Sequence, residues 1–140
     1  MGRILSIDYG KKRTGIAVTD PLQLIAGGLA TVSTLELYDF LRSYTAKEEV
    51  EKIVIGDPKQ ADGSASENKA RVEQFVNRWK KEFPQIPIEY YDERFTSVLA
   101  HRAMLDGGLK KKDRQDKALV DEISATIILQ DYMSYRLHKL

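Results

Sequence analysis

Residues 3–9 alternate as an extended chain does, with Ile4, Ser6 and Asp8 on one side and Leu5, Ile7 and Tyr9 on the other. A carboxylate at the end of an otherwise apolar strand is something packing alone does not ask for. A turn through Gly10 to Gly15 follows. Residues 15–19 and 28–32, rich in β-branched and small apolar side chains, then read as two further strands, joined by a loop holding Asp20-Pro21. Three sequential strands therefore open the chain.

Ser33-x-x-Glu36 has the spacing of a capping box, and Leu37, Leu41 and Tyr44 recur behind it at helical spacing, which predicts a helix to about residue 48. Ile53-Val54-Ile55 is a continuous apolar run ending at Gly56, as suits a strand covered on both faces of a parallel sheet. The loop from Asp57 to Gly63 is expected to be exposed. Ser64-x-x-Glu67 is a second capping box, and Val72, Phe75, Val76, Trp79 and Phe83 form an apolar stripe of 3.6-residue period. Ile86 to Tyr91 reads as another strand, Thr96 as a helix cap, Gly107-Gly108 as a break, and residues 117 to 138 as a long final helix. Strands followed by alternating helix and strand imply an α/β fold, a mixed sheet with helices on its faces.

At 140 residues and 42% hydrophobic content the chain has room for one core, so a single domain over 1–140 is expected. No leader pattern and no apolar run approaching a membrane span is visible, which predicts a soluble cytoplasmic protein without membrane contact. Cysteine is absent, excluding disulfides, thiolate metal sites and a cysteine nucleophile. His101 and His138 fall in no motif and read as surface residues. The net charge of +1 conceals two basic clusters, Lys11, Lys12 and Arg13 early, and Lys110, Lys111, Lys112, Arg114 and Lys117 late. Such clusters suit phosphate backbones, although a lysine run is also an ordinary solvated loop.

Two more carboxylates sit where packing does not call for them: Glu93, in Asp92-Glu93-Arg94, and Asp121, in the apolar first turns of the last helix. The ends of the parallel strands share one sheet edge, so Asp8 and an acid after the strand 86–91 converge there. Strand alternation lets only one of Asp92 and Glu93 face the site, and both stay open at this point. Asp121 joins from a helix packed on the sheet, and Ser124 and Ala125 keep that helix face small. Each acid alone has a structural explanation, as a turn cap, a first-turn helix acid or a surface ion pair. Together they repel unless a hard divalent cation, Mg²⁺ or Mn²⁺, lies between them, and such a site hydrolyses phosphodiesters.

The segment IDYGKKRTGIAVTD at 7–20 resembles the opening signature of the YqgF family, described as Holliday junction resolvases or pre-16S rRNA nucleases. DGSASENKARVEQF at 62–75, DERFTSVLA at 92–100 and VDEISATIILQDYM at 120–133 resemble that family's remaining motifs in the same order. The resemblance implies an RNase H-like fold, a five-stranded mixed sheet of order 3-2-1-4-5, and carries the metal-binding acids onto Asp8, Glu93 and Asp121. It makes Lys12 and Arg13 the basic pair of the first turn and places Arg94, Thr96 and Ser97 beside the second acid. With Lys110, Lys111 and Lys112, the residues Lys12, Arg13, Arg94 and Thr96 form the expected nucleic-acid contacts; Arg94 as a structural ion pair is the plainer alternative. One departure stands out: Gly56-Asp57-Pro58-Lys59-Gln60-Ala61 replaces the family's Gly-Leu-Pro-Leu-like stretch, which bears on substrate preference more than on fold.

The implied activity is a metal-dependent endonuclease maturing the 5′ end of pre-16S rRNA. The alternatives are Holliday junction resolution and a non-catalytic nucleic-acid-binding factor in transcription or ribosome assembly. The partner is pre-rRNA or branched DNA, and the expected state a monomer or weak homodimer. No long exposed apolar stripe marks a dimer interface in the sequence, which favours RNA, since a resolvase needs two symmetric cuts. Asp-x-Gly-x-x-x-x-Gly at 8–15 also resembles an ATPase phosphate loop, but the chain has no room for the second lobe such folds close over the nucleotide.

Overall fold

The computed structural model describes residues 2–57, 69–92 and 117–139. Strand β1 (Arg3–Tyr9) pairs antiparallel with β2 (Arg13–Thr19), and β2 antiparallel with β3 (Ala26–Ser33). A 3-10 turn, Thr34–Glu36, leads into α1 (Leu37–Lys47), and β4 (Val50–Asp57) then runs parallel to β1. After α2 (Lys69–Glu82), β5 (Ile88–Asp92) runs parallel to β4, and α3 (Lys117–Lys139) is the last described helix. The sheet order is 3-2-1-4-5, as the motifs implied, with β1 at its centre.

The alternation of β1 separates two cores. Leu5 and Ile7 join Ile16, Ile53, Ile55 and Ile88 beneath α1 and α2, whereas Ile4 joins Ala17, Val54, Ala125, Ile128 and Leu129 beneath α3. The stripe read along α2 is buried at Val72, Phe75, Val76 and Trp79. Trp79 is fully buried and its indole N–H donates to the Ile86 carbonyl at 3.2 Å, so a large apolar surface leaves water with its polar atom satisfied. On the opposite face α3 lies across β1, β2 and β3.

Several boundaries differ from the sequence reading, strand β3 beginning at Ala26 rather than at residue 28 and β4 at Val50 among them. Strand β2 begins at Arg13 rather than at residue 15, so the turn after β1 is two residues shorter and Gly15 lies inside the strand rather than at its start. Strand β5 begins at Ile88, because the Ile86 N–H is taken by Phe83 O, which closes a turn before Pro87. The capping box at Ser33 does not form: Ser33 ends β3 opposite Arg13 and makes no side-chain cap hydrogen bond. The second capping box at Ser64, the cap at Thr96, the break at Gly107-Gly108 and the loop beyond Asp57 lie outside the described residues.

In the loop joining β2 to β3, the Asp20 carboxylate accepts the N–H groups of Leu22, Leu24 and Ile25 at 3.2, 2.7 and 2.8 Å. Beside it Leu22, Leu24 and Ile25 are 61%, 70% and 74% exposed, an apolar cluster too short to read as a stripe in the sequence. Among the described residues no helix is long and apolar enough to cross a membrane.

Candidate active site

Asp8 occupies the last turn of alternation on the face of β1 that α3 covers. Its neighbour of the same parity, Ser6, is fully buried and donates its hydroxyl to the Ala125 carbonyl at 2.6 Å, which pins α3 to the strand. Across the ladder Asp8 pairs with Gly15. A Cβ built on Gly15 would stand 2.0 Å from the Asp121 carbonyl oxygen and 3.1 Å from the Asp121 Cβ. Only a residue without a side chain admits the helix backbone that close, the usual reason for glycine inside a strand. Directly opposed residues of an antiparallel pair hold their Cβ atoms about 5 Å apart. Asp8 and the Asp121 backbone therefore both adjoin Gly15 on a single face of the sheet.

Arg13 precedes Gly15 by two residues, on the same face of β2, and its Nε donates to Asp121 Oδ2 at 2.9 Å. The side chains of this ion pair are 41% and 22% exposed. Solvent screening keeps such a pair at no more than about 1 kcal/mol, so its consequence is positional rather than energetic. The guanidinium expected to grip phosphate holds an acid in this structure.

The turn from β1 to β2 carries Lys11 and Lys12 exposed. A Cβ on Gly10 would meet the Arg13 carbonyl oxygen at 2.1 Å, so the turn closes only around glycine. Thr34 braces it from below: its hydroxyl donates to Gly10 O at 2.7 Å and meets the Thr14 hydroxyl at 2.9 Å, and its backbone N–H donates to Lys12 O at 3.0 Å. Sequence reasoning overlooked both Gly15 and Thr34. Glycine within a β-branched run was the available signal for the first; for Thr34, the apparent cap at Ser33 drew attention one residue too early.

Glu93, Arg94, Thr96, Lys110, Lys111 and Lys112 lie outside the described residues. Among the described residues no group of three or more metal-ligating side chains is assembled. The two acids that are described, Asp8 and Asp121, offer oxygen donors only. That donor set suits a hard cation such as Mg²⁺ or Mn²⁺ and not a soft one.

The family model RuvX, described as Holliday junction resolvase, matches residues 2–135. A protein of Bacteroides thetaiotaomicron, provisionally named a pre-16S rRNA nuclease, is 68% identical over 133 residues, covering 95% of this chain and 96% of its own. A Parabacteroides distasonis protein with the same provisional name is 59% identical over 140 residues, the full length of both. Among solved structures, the Fowlpox virus resolvase in complex with Holliday junction DNA superposes with a TM-score of 0.59 at 14% identity, covering 96% of this chain and 99% of that one. The Thermus thermophilus RuvC complex with a Holliday junction gives 0.58 at 16% identity, covering 98% and 96%. At those identities the likeness concerns the fold, which is the RNase H-like resolvase fold.

Proposed function

The chain belongs to the RuvX family, and from that membership we propose that it is a metal-dependent endonuclease that hydrolyses phosphodiester bonds in the maturation of the 5′ end of pre-16S rRNA. The observation that supports the reading is the seating of the Asp121 backbone against Gly15, the residue paired with Asp8, which sets two acids from distant parts of the chain on one stretch of the sheet. Glu93 completes the set. Tyr91 packs against the cluster beneath α3, and in an extended chain the next residue of its parity is Glu93, which favours it over Asp92.

Asp8, Glu93 and Asp121 would hold Mg²⁺ or Mn²⁺, and the ion would supply activation of water and stabilisation of the departing 3′ oxygen. The chain's own residues do the rest. Ser6 and Gly15 fix the depth of α3, and with it the reach of Asp121. Arg13 orients Asp121 and stands ready for a phosphate beside it. Lys12, at the tip of the braced turn, meets the nucleic-acid backbone, as do Arg94, Thr96 and the Lys110, Lys111 and Lys112 cluster. The setting is the cytoplasm.

Holliday junction resolution is the second reading, favoured by the family's own description. It requires paired active sites, and the exposed Leu22, Leu24 and Ile25 cluster removes the sequence argument against self-association. Parallel incubation with a precursor rRNA fragment and a four-way junction, with and without Mn²⁺, separates the readings. Metal-dependent cutting of the RNA, lost in Asp8→Asn and Asp121→Asn variants of unchanged circular dichroism, is expected. Cutting of the junction alone selects the second reading, and cutting that persists in excess chelator rejects the metal-holding role of the acids.

A further inference from the structure

Tyr9, the residue after Asp8, points through the sheet to the opposite face and lines a cavity of about 460 Å³ between the Thr34–Glu36 turn, α1 and α2. Its floor is aromatic: the Tyr9 and Phe75 rings lie 5.9 Å apart, and Tyr38 meets Phe75 edge-on at 6.1 Å. Its wall is one face of α2, where Arg71, Gln74 and Arg78 succeed one another at helical spacing.

The two arginines differ. Arg78 lies 3.7 Å over the Tyr38 ring and pairs with Glu82 at 3.4 Å, and Glu82 in turn accepts the Tyr38 hydroxyl at 2.5 Å. Burial and that carboxylate push the Tyr38 phenol up to about 12, so this corner is a neutralised, fixed wall. Arg71 has no ion pair among the described residues. Its charge acts on Tyr9, whose phenol is raised by burial and drawn partly back by the guanidinium. A cation without an ion pair among the described residues, set beside aromatic rings and an amide, is the chemistry of a nucleotide: phosphate on the guanidinium, base on the rings, base edge on the amide. The volume falls in the range of small-ligand sites.

Position ties the cavity to the acids. Thr34 lines it and also holds Gly10 and Lys12, so cavity wall and basic turn are one hydrogen-bonded piece, with Asp8 and Tyr9 adjacent in the strand that feeds it.

We propose that the cavity is a substrate subsite that takes one unpaired nucleotide of the strand being cut, its base against Tyr9 and Phe75, its phosphate on Arg71 and its base edge on Gln74. This rests on the nuclease reading and adds a preference: a paired base cannot enter, so the cut falls beside single-stranded nucleic acid. An acidic, leucine-bearing peptide is the competing occupant, because Leu35 is 94% exposed at the rim.

The test is binding without catalysis, in chelator, by fluorescence anisotropy with a short single-stranded RNA and with a blunt RNA duplex, on the full chain and on Arg71→Ala and Gln74→Ala. Both substitutions lie on the outer face of α2, and circular dichroism checks their fold. The expected result is about tenfold weaker binding of the single strand by Arg71→Ala, with a salt slope reduced by about one, and unchanged duplex binding. Resonances of Tyr9 and Tyr38 should move when uridine monophosphate is added. Equal single-strand affinity in wild type and Arg71→Ala overturns the subsite while cleavage by the wild type leaves the nuclease reading standing. Movement of those resonances by an acidic leucine peptide and not by the nucleotide also overturns it.

Discussion

Replacing Gly15 with alanine tests how the acids are brought together. The added methyl would lie 2.0 Å from the Asp121 carbonyl oxygen and 2.4 Å from its carbon, both backbone atoms of a helix that cannot swing aside as a flexible side chain would. Restoring ordinary contact requires α3 to retreat by roughly 1.4 Å. Overpacking of this kind costs about 1–3 kcal/mol, which for a chain of this size lowers Tm by roughly 3–12 °C. The same retreat carries Asp121 away from Asp8, and a misplacement near 1 Å costs on the order of 100-fold in rate. Gly27→Ala is the control, because a Cβ there meets nothing within 4 Å, and its expected change is within about 0.5 kcal/mol. Scanning calorimetry and cleavage of the precursor rRNA fragment are the assays. A Gly15→Ala protein with wild-type Tm and wild-type cleavage would refute the close approach of α3 to β2.

Trp79→Ala removes the largest fully buried side chain and is expected to cost about 3–5 kcal/mol in chemical denaturation, against under 1 for an exposed α2 site such as Lys80→Ala. Ser6→Ala deletes a buried hydroxyl bonded to Ala125 O and should lower stability by about 1 kcal/mol, with a smaller loss of activity than Gly15→Ala because it loosens one tie to α3 without pushing the helix off β2. The Asp20 carboxylate is held below its ordinary range chiefly by the Ile25 N–H, then by those of Leu24 and Leu22. Its folded pKa is depressed, so the stability it adds is present above the unfolded carboxylate value and is lost as pH falls through the folded one. Asp20→Asn should therefore flatten the acid limb of the Tm profile below about pH 4 and leave neutral cleavage intact; an unchanged acid limb would discount the loop as its source.

What the sequence showed depended on how local each signal was. The parity of β1 was readable because alternation needs only neighbours, and it assigned Ile4, Ser6 and Asp8 to the α3 side and Leu5 and Ile7 to the other. The α2 stripe was readable for the same reason. The order 3-2-1-4-5 came from motif resemblance, since strand pairing is non-local, and the pairing observed matches it. Ser33 misled because cap spacing carries no information about whether a residue is already committed to a strand, as Ser33 is opposite Arg13. The Arg13 and Asp121 pair spans 108 residues and leaves no local trace. Gly15 reads as the junction of turn and strand, and its role of admitting a helix backbone appears only once α3 is in place. Asp8 and Asp121 are legible as acids without a packing role, whereas the contact of each with Gly15 is not.

The most direct measurement is anomalous diffraction from crystals soaked in Mn²⁺. The account predicts a peak in the gap beside Gly15, with carboxylate oxygens of both Asp8 and Asp121 at about 2.1 Å, absent from crystals of Asp8→Asn. A chain that cleaves in Mn²⁺ while its ion binds elsewhere, touching neither acid, would contradict it.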